Sequence, residues 1–298
     1  MEDKKNIEIE TDDYTKTESE NYYSVNKTII NALASITERC SSHEQKNEKY
    51  YLDTGFNQLF MKKGDLIILA SRPGIGKTSF GLSLIYQLSI KNNIPVGLVM
   101  PGNMDKARIG ERLISFDTEL TIRQINLNVE ALEKIRKSSL QIYGRPFFIF
   151  NEPNCCFEQI KTSVIQMAMD KHIQLLIVDS FDYIQEIVDS DPKEYRNVLT
   201  SMLDKFKNLA ASLHIPVILE IGLPCIEDEE IPALSHFKKY MIIPEKADMV
   251  LFLHRGCPLE YDAYQEAFLL IDKDSSGLKK TIPLYFYPPT GIFMNKDE

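Results

Sequence analysis

The sequence predicts an α/β fold: a mostly parallel central sheet with helices on both faces, closed by a C-terminal β-hairpin. Three observations lead to this. From about residue 50 onward, short apolar runs alternate with amphipathic runs at helical spacing. The short runs are apolar throughout rather than at every second position, as in strands buried on both faces. Between the first such run and the first helix lies "SRPGIGKTSF", a glycine-rich turn of the kind that cradles phosphate.

Taken in order, residues 1–24 carry eight acids and three lysines and few apolar groups. They are expected to form a disordered acidic tail. Residues 25–48 are predicted as a helix and a polar linker. Val25, Ile29, Ile30, Leu33 and Ile36 fall on one helical face, Ser24 can cap it, and "SSHEQKNEK" follows. Residues 49–298 are expected to form the α/β domain. Its predicted strands are "DLIILA", "PVGLVM", "PFFIF", "IQLLIVDS", "IPVILEI" and "ADMVLFLHR". Its helices begin at Thr78, Lys106, Val129, Cys156 and Glu194; the last is amphipathic through Met202, Phe206, Leu209 and Leu213. A hairpin turns at Ser275–Ser276–Gly277. No repeat recurs at a period of 20–50 residues.

Composition narrows the classes. Of 298 residues 44% are apolar and 26% charged, as in a globular protein. No apolar run reaches the ~18 residues a membrane span needs, and the N-terminus shows no leader-like apolar stretch. Cys40, Cys155, Cys156, Cys225 and Cys257 show no C-x-x-C spacing, so free thiols in a reducing cytoplasm are expected. The net charge of −9 argues against a broadly basic nucleic-acid surface. Because the first 24 residues hold −5 of it, a local basic groove stays compatible with the rest.

The glycine-rich turn matches the P-loop pattern G-x-x-x-x-G-K-[ST], with Ser71 replacing the first glycine. Ser71, Arg72, Pro73, Gly74, Ile75, Gly76, Lys77, Thr78 and Ser79 are therefore the candidate nucleotide-binding residues. Gly74 and Gly76 allow the tight turn that aims backbone N–H groups at phosphate oxygens. Lys77 reaches the β- and γ-phosphates, and the Thr78 hydroxyl can ligate Mg²⁺. The following helix offers its positive N-terminus to the same anion. "LLIVDS" ends a buried strand on Asp179, placed to hold the Mg²⁺ water shell beside Thr78.

These motifs, with "DTGFNQLF", "KKGDLIILASRPGIGKTSF", "LLIVDSFDYI", "KNLAASLHIPVILEI", "EKADMVLFLHR" and "LLIDKDSSG", resemble the ATPase domain of DnaB-type replicative DNA helicases. The resemblance covers about residues 25–295. It implies a RecA-like P-loop NTPase fold, ATP and Mg²⁺ as ligands, and DNA replication as the setting. By this resemblance the family's usual N-terminal domain is expected to be absent. The helix at 25–40 stands where the family has a linker helix that docks on a neighbouring subunit. It implies a homo-oligomer, a hexameric ring; folding back onto its own domain is the other reading.

The sequence departs from the family at three catalytic positions. Gly102 stands where the resemblance implies a catalytic Glu, with Asp105 close by. Gly222 stands in the region of a γ-phosphate-sensing Gln, with Glu220 two residues earlier. Glu220 either faces the nucleotide or is a buried, partnered carboxyl. Near the hairpin, Lys273 keeps the first of two cations the family offers to a neighbour's γ-phosphate, and Ser275 replaces the Arg; Lys273 bridges subunits or is a solvated hairpin lysine. The stretches at the family's DNA-facing loops, "QEIVDSDPKEY" and "PCIEDEEIPALSHFKK", are rich in acids, including Glu227, Asp228, Glu229 and Glu230. Such runs repel a phosphate backbone unless Lys238 and Lys239 make the contacts; a solvated acidic turn is the plainer reading. Two functions follow as expectations. One is an ATP-driven helicase or translocase acting on single-stranded DNA. The other is a nucleotide-binding, largely non-hydrolysing adaptor that regulates, loads or inhibits a replicative helicase.

Overall fold

The computed structural model describes residues 50–127, 131–223, 230–256, 263–274, 277 and 279–296. The acidic tail, the helix and linker at 25–48, Cys40, Cys225, Cys257, Ser275, Ser276 and the acidic run at 227–229 lie outside the described residues.

The strands are β1 (Tyr51–Asp53), β2 (Phe60–Lys62), β3 (Leu66–Ser71), β4 (Val96–Met100), β5 (Phe147–Asn151), β6 (Leu175–Val178), β7 (Val217–Gly222), β8 (Met249–Arg255), β9 (Gln265–Lys273), β10 (Lys280–Tyr287) and β11 (Ile292–Asn295). The helices are α1 (Lys77–Ile85), α2 (Lys106–Thr118), α3 (Ile122–Leu127), α4 (Leu132–Ile142), α5 (Phe157–Lys171), α6 (Gln185–Val188), α7 (Tyr195–Leu213) and α8 (Ile242–Lys246). The nine-stranded sheet has the order β11-β10-β9-β8-β3-β7-β6-β4-β5. From β8 to β5 neighbours pair in parallel, and β9, β10 and β11 add antiparallel strands. This is the mostly parallel RecA-like sheet the sequence predicts. The hairpin β9–β10 is where it was expected. The strand β11 and the small β1–β2 hairpin were not, being only four and three residues long.

Strand pleating sends alternate residues to opposite cores. Ile67 and Leu69 of β3 pack with Phe80 of α1 and Leu113 and Phe116 of α2. Leu66, Ile68 and Ala70 pack on the other face with Ile160 and Val164 of α5 and Phe206 of α7. Both faces are covered, which is why the strand sequences are apolar throughout.

Local signals set the helix ends. Gly76, left-handed at φ 112°, is the residue before α1. Beyond Ile85 the helix loosens into a π segment, Tyr86–Lys91. Asp105 caps α2 by accepting a bond from Ala107 N at 3.0 Å, so its carboxylate is engaged as a helix cap. The Thr54 hydroxyl donates to Leu59 O, and Asn295 of β11 pairs with Asn57 N and Gly55 O. The opening hairpin of the domain is thus tied to its last strand.

At the opposite, N-terminal end of the parallel strands, Asp65 is buried with Asp248 nearby. Burial first, then the Asp248 charge, raises its carboxyl from 3.8 to about 6, against the opposing charges of Lys62 and Lys207. The folded state therefore holds the proton more tightly than the unfolded chain. The stability this adds is fully present below about pH 4 and is lost as pH rises through about 6. Asp65→Asn is expected to match the native protein near pH 4 and to exceed it by about 2 kcal/mol at pH 7. Urea unfolding of both proteins at the two pH values checks this; a difference independent of pH would contradict it.

Candidate nucleotide-binding site

The candidate residues gather at the carboxyl ends of the parallel strands, where open α/β sheets bind ligands. The loop at 72–76 leaves β3 and enters α1. Asp179 follows β6, Gly222 ends β7, and Gly102 follows β4. Sheet register brings these ends together: Ser71 pairs with Gly222, and Asp179 N donates to Val99 O at 2.9 Å.

The loop has the conformation a phosphate cradle needs. Gly74 and Gly76 both have positive φ, 79° and 112°. A Cβ on Gly76 would stand 3.2 Å from the Phe293 ring, so both strain and space select glycine there. Lys77 opens α1, and its ammonium lies 3.5 Å from Ser71 Oγ. The Ser71 hydroxyl donates to Arg72 O.

Asp179 is half-buried, with the Thr78 side chain close by. Desolvation raises its carboxyl, while the neighbouring Thr78 and Glu220 side chains and the Lys77 and Arg112 charges act the other way. Among the described residues no group of three or more His, Cys, Asp or Glu side chains converges as a metal site. A cation here would therefore rest on the Thr78 hydroxyl, Asp179 and phosphate oxygens. That small, all-oxygen donor set fits Mg²⁺, which is usually held by one or two protein groups and the substrate's phosphates.

Three contributors escaped the sequence reading. Arg255, at the end of β8, donates from Nε to Ile75 O at 2.8 Å and from Nη2 to Gly74 O at 2.9 Å. Its guanidinium also lies over Phe286 at 4.5 Å. It grips the loop by two of its carbonyls. A charge ending an otherwise apolar strand was the available signal. Arg112 of α2 donates to Ser79 Oγ at 3.3 Å and adds positive charge near Asp179. Burial lowers its pKa. Asp182 accepts from Gly222 N at 2.8 Å and Ser180 Oγ at 3.1 Å. No sequence pattern marks these two, because the placement of α2 and of the turn after β6 brings them in.

The other candidates are placed as follows. Glu220 is fully buried on β7 behind Asp179. Lys273 donates to Pro244 O at 2.7 Å and Ala247 O at 2.6 Å, carbonyls at the C-terminal end of α8 in its own chain. Gly102 lies against Tyr183: a Cβ there would meet the ring at 3.3 Å. In the acid-rich loop segments, Glu186 accepts from Phe157 N at the start of α5, and Glu230 pairs with His236 at 2.9 Å. Cys155 and Cys156 are free thiols. No helix among the described residues is long and apolar enough to cross a membrane.

Residues 52–295 match the family described as DnaB-like helicase C terminal domain. The chain belongs to that family. Its sequence is 26% identical over 260 residues to the probable plasmid replicative DNA helicase of Chlamydia psittaci, covering 83% of this chain and 56% of the relative. It is 30% identical to the probable replicative DNA helicase of Trieres chinensis, covering 65% of this chain and 44% of that one. It is 25% identical to the replicative DNA helicase DnaB of Leifsonia xyli subsp. xyli (strain CTCB07), covering 90% and 60%. The chain thus spans about half the length of these relatives. Among solved structures, one described as an ATPase domain superposes with a TM-score of 0.76 at 20% identity, over 90% of this chain and 98% of that one. A DnaB-like replicative helicase, described with its interactions with primase, gives 0.78 at 20% identity, over 92% and 67%. The fold of this DnaB-like chain is therefore shared almost end to end with the solved ATPase domain.

Proposed function

We propose that this DnaB-like chain binds ATP with Mg²⁺ at the loop 71–79 and serves DNA replication in the cytoplasm with a weakened hydrolytic step. The observation that carries the binding half is the cradle: two glycines at positive φ, Lys77 and Thr78 at the start of α1, and Asp179 beside them after β6. In it, backbone N–H groups bind phosphate oxygens, Lys77 and Arg112 supply positive charge, and Thr78 and Asp179 orient the cation's shell. Bound Mg²⁺ supplies charge neutralisation on the phosphates.

The weakened half rests on what surrounds the cradle. Gly102 and Gly222 have no side chain to orient water or sense phosphate. Asp105 is engaged at the start of α2 and Lys273 at the end of α8. Positioning and charge stabilisation provide most of the acceleration in phosphoryl transfer, so losing these groups slows turnover far more than binding. The reading favoured is therefore a nucleotide-holding adaptor. It assembles with itself in a ring through residues 25–40, which the sequence predicts as a helix, or joins a replicative helicase on single-stranded DNA. The second reading, an active ATP-driven translocase, is favoured by the intact Asp179 and by Arg112 beside it.

Steady-state ATP hydrolysis with and without single-stranded DNA separates them. Turnover above roughly 1 s⁻¹, a common enzymatic scale, that disappears on loss of Lys77 would establish the translocase. Undetectable turnover with measurable ATP affinity is the expected result.

A further inference from the structure

Arg112 sits on the flank of α2. Ile109, Leu113 and Phe116, at helical spacing, lie in the same core as Phe80 of α1 and Leu98 of β4. Phe116 meets the Tyr86 ring edge-on at 5.9 Å, which pins α2 to the π segment beyond α1. One turn back along α2, Arg112 reaches the first turn of α1 and donates from Nη1 to Ser79 Oγ at 3.3 Å. The way the two helices pack thus aims this side chain at the phosphate loop.

A guanidinium carries five N–H donors and a permanent charge. Arg112 is half-buried, yet among the described residues its one hydrogen bond is the long one to Ser79, and it forms no ion pair. Other half-buried cations are placed differently. Lys207 reaches Asp248, Lys246 reaches Asp204, and Arg255 and Lys273 lie on backbone carbonyls. Withdrawing a charge from water without a partner costs stability, so a guanidinium held this way is matched to an anion.

The place of Ser79 says which anion. Lys77 serves the β- and γ-phosphates, and Thr78 serves the cation that bridges them. Ser79 comes next, in the first turn of α1, where N–H groups have no acceptor in their own helix. The turn after β10 closes its other side: a Cβ on Gly291 would stand 3.4 Å from Ser79 Oγ. A phosphate chain running from Lys77 past Ser79 brings its α-phosphate to the guanidinium.

We propose that Arg112 is a nucleotide-binding residue that clamps the α-phosphate from within the same chain, through two parallel N–H···O bonds, with Ser79 as its tether. The inference rests on the nucleotide reading of the loop and deepens it by assigning the guanidinium one phosphate. A planar fork matches two oxygens of one phosphate, which an ammonium does not.

The test uses the full chain and its Arg112→Met and Arg112→Lys variants. Calorimetry with MgATP and MgADP is paired with thermal unfolding of the ligand-free proteins. Met keeps the length and removes the charge. It is expected to weaken ATP and ADP by the same factor, roughly 10- to 100-fold, the value of a charge-assisted contact, while the ligand-free melting temperature holds or rises. Lys keeps the charge without the fork and is expected to lose about tenfold. It carries the test if the Met variant does not fold. The two α-phosphate diastereomers of adenosine 5′-O-(1-thiotriphosphate) locate the contact: the native preference between them is expected to shrink in both variants. Native-like ATP affinity in either variant would overturn the proposal. So would a loss confined to ATP, which would place the guanidinium on the γ-phosphate, or a diastereomer preference that is the same in native and variant proteins. A native protein that binds neither nucleotide would instead remove the nucleotide reading itself.

Discussion

Lys77→Ala is expected to weaken Mg²⁺-dependent ATP binding by ~10- to 100-fold, the value of one charge-assisted contact to an ionised ligand. The reason is positional. Lys77 opens α1, where the helix dipole and the loop amides converge, and its ammonium makes only a borderline 3.5 Å approach to Ser71 Oγ. The fold does not lean on this side chain, so the loss falls on the ligand. Isothermal calorimetry reads the affinity, and the ligand-free melting temperature should stay within a degree or two of the native value. Unchanged affinity would refute the cradle assignment outright. A collapsed melting temperature would show that the lysine holds the loop together rather than the phosphates.

Phe80→Ala carries the largest stability effect expected, about 3–5 kcal/mol. The ring is fully buried one turn into α1. It meets Phe56 at 5.3 Å and Phe293 edge-on at 5.7 Å, joining the opening hairpin, the phosphate-loop helix and the last strand. Removing it opens a void where three segments distant in sequence meet, and a stiff β-sheet cannot collapse to fill it. Guanidinium unfolding should show a lower midpoint with an unchanged slope. A loss below about 1 kcal/mol would mean that the contact is loose. Because α1 carries Lys77 and Thr78, the variant should also bind ATP more weakly than its folded fraction accounts for.

The fold was legible because its strands are covered on both faces and therefore apolar without interruption, while the intervening helices are long and one-sided. The candidate phosphate loop and Asp179 could be proposed for a related reason: phosphate cradles and Mg²⁺ sites constrain residue type at fixed spacing. What escaped notice was set by tertiary placement. β1, β2 and β11 are too short to show alternation. Arg255 reaches the phosphate loop from 180 positions beyond Ile75 in the sequence. Arg112 depends on how α2 lies across the sheet. Lys273 offered two readings, a bridge between subunits or a solvated lysine, and the geometry shows it on the carbonyls of Pro244 and Ala247. Glu220 could be flagged as a charge inside an apolar strand, but only Gly81 across from it explains how it fits.

The phosphate loop is made early in the domain, yet the parts that brace it come late. Phe293 N donates to Ser83 Oγ, its ring crowds Gly76, and Asn295 fastens the turn after β1. While a ribosome is still producing the second half of the domain, residues 71–79 lack this buttress. The folded form of the loop is thus a property of the finished domain, set by its last strand as much as by its own glycines.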